Sequence, residues 1–285
     1  MKSENTAYLA EHWRSLAHNR KRGPHSALFW NRRAEGYSRA ILKDRKQKRS
    51  DEFFDLIASM GLSLDGAHVL DIGCGPGTLA LPLASAGARV TAIDISEQML
   101  GLLEKKAAEE GLNIDRTILS DWSDIDIDSM GFRGRFDLVV ASMTPGIDGP
   151  ESFEKMIDAS RNVCYYSNFV ARKWDQSYYE LYQMLFGENY PDPGYGFSLP
   201  FMYLYSMGYR PAIKLSKSTW KNEETIDEAV ETVSGFFSSS KNIDEVMKGR
   251  IREYLEKRAE NGMYQSTSDS IIGVMVWKKN QISDC

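Results

Sequence analysis

The run Val69-Leu70-Asp71-Ile72-Gly73-Cys74-Gly75-Pro76-Gly77 constrains the fold of this chain more than any other segment. Val-Leu-Asp-Ile is apolar and β-branched around one carboxylate, as suits a central parallel strand buried on both faces. Three glycines at alternate positions follow. They let the backbone turn sharply and let a ligand lie against main-chain N–H groups with no Cβ in the way. A helical run, Thr78-Leu79-Ala80-Leu81-Pro82-Leu83-Ala84-Ser85-Ala86, begins at once. Strand, glycine turn and helix in that order are the architecture of a nucleotide-type ligand site.

The ligand is narrowed by what the turn lacks. The dinucleotide fingerprint needs Gly-x-Gly-x-x-Gly, and position 78 is not glycine; no Gly-Lys-Ser/Thr phosphate loop is present. Asp71 sits inside the turn, where a carboxylate repels a pyrophosphate. It suits a cationic or amine-bearing ligand, or else serves only as a helix N-cap. Cys74 reads as a small residue in a tight turn rather than a nucleophile.

Further strands follow at regular intervals. Ala88-Arg89-Val90-Thr91-Ala92-Ile93-Asp94 reads as a second strand ending in an acid. Asp94 lies about twenty residues past the glycine turn, where an acid accepts both hydroxyls of a ribose; a turn-forming role is the alternative. Its place at a strand end predicts that folding survives its removal. Ser96 is placed to N-cap the next helix. A third strand, Arg116–Leu119, ends at Ser120-Asp121-Trp122, and a fourth runs from Phe136 to Met143.

Together these segments resemble the class I S-adenosylmethionine-dependent methyltransferases. "VLDIGCGPG" is similar to that family's first motif, and Phe136-Asp137-Leu138-Val139-Val140-Ala141 to its fourth strand. The resemblance implies an α/β fold: a Rossmann-like, seven-stranded, mostly parallel sheet with helices on both faces, its last strand inserted antiparallel. It implies S-adenosyl-L-methionine as cofactor and S-adenosyl-L-homocysteine as product. Asp71, Gly73, Cys74, Gly75, Gly77, Asp94 and Ser142 are then cofactor-binding residues. Ile95 or Met99 lies against the adenine. Asp121 caps the adenine amino group and Trp122 flanks the ring, although Asp121–Asp124 also reads as a plain acidic loop. Trp30 to Tyr37 resembles the family's helical lead-in, in which Tyr37 approaches the methionyl end or simply packs the helix onto the domain.

The acceptor side is less legible. A methyl on a sulfonium needs alignment and exclusion of water more than it needs a base. No catalytic base is assigned. Ser142-Met143-Thr144-Pro145-Gly146-Ile147-Asp148 departs from the Asn/Asp-Pro-Pro-Tyr/Phe motif of amino methyltransferases, which argues against a DNA amine as acceptor. Met143, Thr144, Trp174, Tyr178 and Tyr195 are the candidate acceptor contacts.

Four regions are expected: an N-terminal helical arm or lid over 1–60, a cofactor-binding half over 61–167, an aromatic-rich cap insertion over 168–207, and completion of the sheet over 208–285. The first includes a helix over 51–60 and a joint near Gly23-Pro24. The cap is rich in tyrosine and phenylalanine and is either a pocket wall or an accessory core. A fifth strand is expected at Val163–Ser167, a sixth at Arg210–Trp220, a capped helix starting within Asn222–Val230, and a last strand at Ser270–Trp277.

Charge divides the chain. Residues 1–50 carry 13 Lys/Arg and 4 Asp/Glu, whereas the whole chain has a net charge of −5. Trp13, Leu16, Leu28, Phe29, Trp30, Ile41 and Leu42 interrupt the basic residues, so the arm is amphipathic and has a face to bury. The leading expectation is a small-molecule acceptor held under a helical, aromatic-lined lid. The alternative is an RNA- or protein-modifying methyltransferase that uses the basic arm. No apolar run approaches the ~20 residues of a membrane helix, and Met1–Asn5 opens no signal-peptide core. Three cysteines and four histidines fall at no metal spacing, so a reducing cytoplasm and no metal are expected.

Overall fold

The strand that carries Asp71 lies in the middle of a seven-stranded sheet. A computed structural model describes residues 3–16, 26–44, 46–190, 196–238 and 241–280, and leaves out the side chains of 37, 39–44 and 46–51. The strands are β1 (His68–Ile72), β2 (Arg89–Asp94), β3 (Arg116–Leu119), β4 (Phe136–Ser142), β5 (Ser160–Lys173), β6 (Ala212–Thr225) and β7 (Met263–Lys278). The helices are α1 (Glu4–Leu16), α2 (Ala27–Asp44), α3 (Lys46–Ser59), α4 (Ala80–Ser85), α5 (Glu97–Glu109), α6 (Pro150–Ala159), α7 (Gln176–Phe186), α8 (Ser198–Ser206), α9 (Ile226–Phe237) and α10 (Glu245–Glu256).

The sheet order is β3-β2-β1-β4-β5-β7-β6. Strands β1 to β5 pair in parallel, and β7 inserts antiparallel between β5 and β6. Chain direction across the sheet reverses between β1 and β4, and ligands of open α/β sheets bind in the crevice at such a point. Both faces of the central strands are buried. Leu70, Ile72, Val139 and Ala141 enter one core, and Val69, Leu138 and Val140 the other. That two-sided burial is why Val69-Leu70 in β1 and Leu138-Val139-Val140-Ala141 in β4 are consecutive apolar residues instead of alternating with polar ones.

Some boundaries differ from the sequence expectation. Strand β5 does not stop at Ser167 but runs to Lys173, because β7 supplies partners as far as Lys173 opposite Asp269. Strand β6 likewise absorbs Asn222, Glu223 and Glu224 by pairing with Ser266, Gln265 and Tyr264. Helix α9 therefore starts only at Ile226. Thr225 caps it, its hydroxyl accepting from the Glu228 N–H while Glu228 reaches back to the Thr225 N–H. Helix α3 begins at Lys46, ahead of the expected Asp51. The joint at Gly23-Pro24 lies outside the described residues.

The arm packs in two places. Helix α1 buries Thr6, Ala10 and Trp13. The Trp13 ring meets Phe153 of α6 at 5.7 Å and Tyr203 of α8 at 5.8 Å. Helix α2 instead lies along α5, with Lys106 Nζ donating to Ser38 Oγ at 2.7 Å. A third core joins α7, α9 and α10 around Leu181, Val233, Phe237 and Leu255. Among the described residues no helix is long and apolar enough to cross a membrane.

Candidate functional site

The carboxyl ends of β1, β2 and β4, with the residues that follow β3, open into one cleft of about 1010 Å³, counting the space at its mouth. The glycine turn forms its floor. Gly73 and Cys74 N–H both donate to Ile93 O, at 2.8 and 3.0 Å, fastening the turn to β2. Gly73 has φ +66°, and a Cβ there would stand 2.0 Å from Thr144 Oγ1, so only glycine lets the loop after β4 approach. Gly75 has φ +53°, and a Cβ on it would meet nothing within 4 Å. Its backbone faces the cleft.

Asp71 is 2% exposed, and its Oδ2 has no hydrogen-bond partner. Burial, reinforced by the nearby Asp94 charge and opposed by the Ala80 N–H, pushes its carboxyl up to about 7. A buried acceptor without a donor is costly. Asp71 lines the cleft, so a ligand there can supply a donor to its carboxyl.

Asp94 is also buried, and it does more than end a strand. Its Oδ2 accepts from Gly75 N–H at 2.8 Å and its Oδ1 from Ser96 N–H at 2.9 Å. Burial raises its carboxyl, and these amides pull it back. The same carboxylate thus fixes the glycine turn and the start of α5. Removing it takes the acceptor from both main-chain N–H groups, so Asp94 also braces the turn. Ser96 caps α5 by accepting from Met99 N–H.

Ile95, Met99, Asp121, Trp122 and Ser142 line the same cleft, with Asp71, Gly73, Cys74, Gly75 and Asp94. Gly77 does not; its open face meets Leu81 and Leu103. Tyr37 falls in α2, but its side chain lies outside the described residues. The Cys74 thiol is buried and held well above its usual range by burial and the two aspartates, so it stays protonated. Asp121 caps a single 3-10 turn through Ser123 N–H at 2.8 Å. The Trp122 indole donates to Ser152 O at 3.0 Å.

Of the acceptor candidates, Met143 and Thr144 line the cleft. Met143 holds φ +54°, a conformation that costs a non-glycine side chain. Its N–H is tied to Ser167 O at 2.9 Å. Trp174 and Tyr178 lie elsewhere, packed on Phe236 at 4.4 and 5.0 Å. Tyr195 lies outside the described residues. Trp30, Thr78, Ser120 and Asp148 line the cleft without having been singled out as contacts from the sequence. Trp30 sits in the lead-in segment, and only the docking of α2 on α5 shows that it reaches the cleft.

Residues 69–164 match a family described as a methyltransferase domain. That segment is similar to the class I S-adenosylmethionine-dependent methyltransferases. The cypemycin N-terminal methyltransferase of a Streptomyces species is 36% identical over 118 residues, 37% of this chain and 45% of that one. A ubiquinone biosynthesis O-methyltransferase of Actinobacillus pleuropneumoniae is 43% identical over 70 residues, 24% of this chain and 30% of that one. The matched segment thus spans less than half the length of these relatives. Magnesium protoporphyrin IX methyltransferase from Synechocystis, solved with SAH, shares the fold with a TM-score of 0.50 at 17% identity, over 86% of this chain and 97% of that one. The cleft fits S-adenosylmethionine in charge. Its described lining holds four aspartates, Asp71, Asp94, Asp121 and Asp148, and no lysine, arginine or histidine.

Proposed function

We propose that this chain transfers a methyl group from S-adenosyl-L-methionine to a small-molecule acceptor. The unpartnered, buried Oδ2 of Asp71 carries the reading, because it needs a donor and a cationic, amine-bearing cofactor brings one. The cofactor supplies an activated methyl on a sulfonium. The protein's part is to bind, orient and exclude water.

Asp71 accepts from the ammonium end, beside the Gly73–Gly75 turn. Asp94 accepts the ribose hydroxyls with the lone pairs that Gly75 and Ser96 leave over. Ile95 and Met99 pack on the base, and Asp121 and Trp122 close its far side. Trp30 covers the mouth from α2. Met143 and Thr144 stand at the end of β4, beside the glycine turn, where an acceptor has to arrive. No base is assigned, since orientation supplies most of the rate when the leaving group is already good.

Isothermal titration with S-adenosylhomocysteine and with NAD tests the cofactor. Heat with the first and none with the second is expected; the reverse ends the proposal. A tritium-labelled cofactor incubated with fractionated metabolites, RNA and protein then tests the acceptor class. Label in the small-molecule fraction is expected, and label confined to RNA or protein would overturn that part.

A further inference from the structure

The turn that carries Asp121 and Trp122 is held from behind by one lysine. Lys155, on α6, donates to three main-chain oxygens at once: Trp122 O at 2.5 Å, Ser123 O at 3.0 Å and Ile125 O at 2.9 Å. An ammonium has three protons, and here each has a carbonyl. Its nitrogen also lies 4.9 Å from the centroid of the Trp122 ring. One turn earlier on the same helix face, Ser152 O accepts from the Trp122 indole, and Ser152 Oγ accepts from Asp148 N–H and Gly149 N–H, each at 3.1 Å. Lys155 itself does not line the cleft; Asp121 and Trp122 do.

A surface lysine ordinarily keeps its head group in water. This one is partly withdrawn from water and spends every donor on one short turn. The turn closes the side of the cleft assigned to the adenine, and one Asp121 oxygen is already committed to Ser123 N–H. The direction of the remaining oxygen is therefore set by the path of the 122–125 backbone.

We infer that Lys155 is a positioning residue for base recognition: it fixes the Trp122–Ile125 backbone so that Asp121 and Trp122 meet the adenine, given that the cleft takes the adenosyl group as proposed above. Ser152 assists through the indole.

The test compares S-adenosylhomocysteine with S-inosylhomocysteine, in which an oxo group replaces the adenine amino group. Wild type is expected to prefer the amino compound. Lys155→Met keeps the methylenes but removes all three donors. It should weaken S-adenosylhomocysteine about tenfold, the worth of one ordinary hydrogen bond, and bring the two dissociation constants together. Lys155→Arg keeps charge and donors and should restore part of the preference. A lysine that only stabilised the fold would lower the melting temperature and leave the ratio of the two constants unchanged. An unchanged ratio in Lys155→Met, or in Lys155→Gln if the methionine variant does not fold, overturns the inference while leaving the cofactor reading intact. Wild type that binds neither compound removes the cofactor reading itself, and this role with it.

Discussion

Ser96 Oγ donates a 2.6 Å hydrogen bond to Asn31 Oδ1, and Gln98 N–H adds a longer one at 3.4 Å. These bonds tie α2 to the first turn of α5. They continue a chain that starts at the glycine turn: Gly75 N–H to Asp94, Asp94 to Ser96, Ser96 to Asn31. Trp30, next to Asn31, lines the cleft. The Trp30 segment of α2 and the glycine turn are thus joined through Asp94.

Asn31→Ala removes the latch and leaves the floor in place. The expected result is faster dissociation of S-adenosylhomocysteine, with affinity reduced about five- to tenfold, as for one lost hydrogen bond. Hydrogen exchange along α2 should slow when wild type binds the ligand and slow less in the variant. Stopped-flow and exchange measurements that match wild type on both counts would show that α2 is fixed independently of Asn31.

Asp94→Ala should fail twice. Losing the ribose acceptor should cost on the order of 2–4 kcal/mol of cofactor affinity. Orphaning Gly75 and Ser96 N–H should also cost the ligand-free protein about 1–3 kcal/mol. Titration calorimetry reads the first and urea unfolding the second. Full stability together with lost affinity would mean that water replaces the carboxylate at both amides.

Asp71 predicts a pH dependence whose sign is fixed. Its carboxyl is raised to about 7 in the fold, above its unfolded value, chiefly by burial. The folded state therefore holds a proton that the unfolded chain has released between pH ~4 and ~7. Its contribution to ligand-free stability is full below that window and is lost as pH rises to about 7. Asp71→Asn should flatten this slope and gain relative to wild type at pH 8. Cofactor affinity should run the opposite way in wild type, rising toward pH 8, because a cation selects the ionised carboxylate. Calorimetry in buffers of different ionisation enthalpy should show proton release on binding at pH 6. Proton uptake there would rule out Asp71 as the partner of a positive group.

Phe237→Ala tests the accessory core. Phe237 is 1% exposed among α7, α9 and α10 and packs on Tyr178 and Tyr182. Truncation should destabilise by about 3–5 kcal/mol. Affinity for S-adenosylhomocysteine in the folded fraction should stay unchanged, since this core does not line the cleft. A matching loss of affinity would join the aromatic region to the site.

How much was legible follows from how local each signal was. The glycine turn, the acid at its entrance and the acid that ends β2 are short-range features, set by backbone geometry within a few residues. The insertion of β7 between β5 and β6 came from the family resemblance. The lengths of those strands could not be read, because pairing between β6 and β7 overrode the polar run at Asn222–Glu224. The aromatics of 168–207 looked alike in sequence, yet Tyr203 packs under α1 while Tyr178 packs under α9. Composition does not say which partner an aromatic face will meet.

The sequence by itself determined the class of fold and the ligand end of the site, because a parallel strand leading into a glycine turn with a carboxylate leaves few ways to satisfy the backbone. Only the tertiary structure decided that Asp94 braces the glycine turn and the start of α5, that Asp71 keeps one oxygen without a donor, and that Lys155 grips the turn behind Trp122. Each depends on groups between 19 and 33 residues apart, or on burial created by several elements at once. Such contacts exist only after loop closure has brought the elements together, so no local pattern announces them.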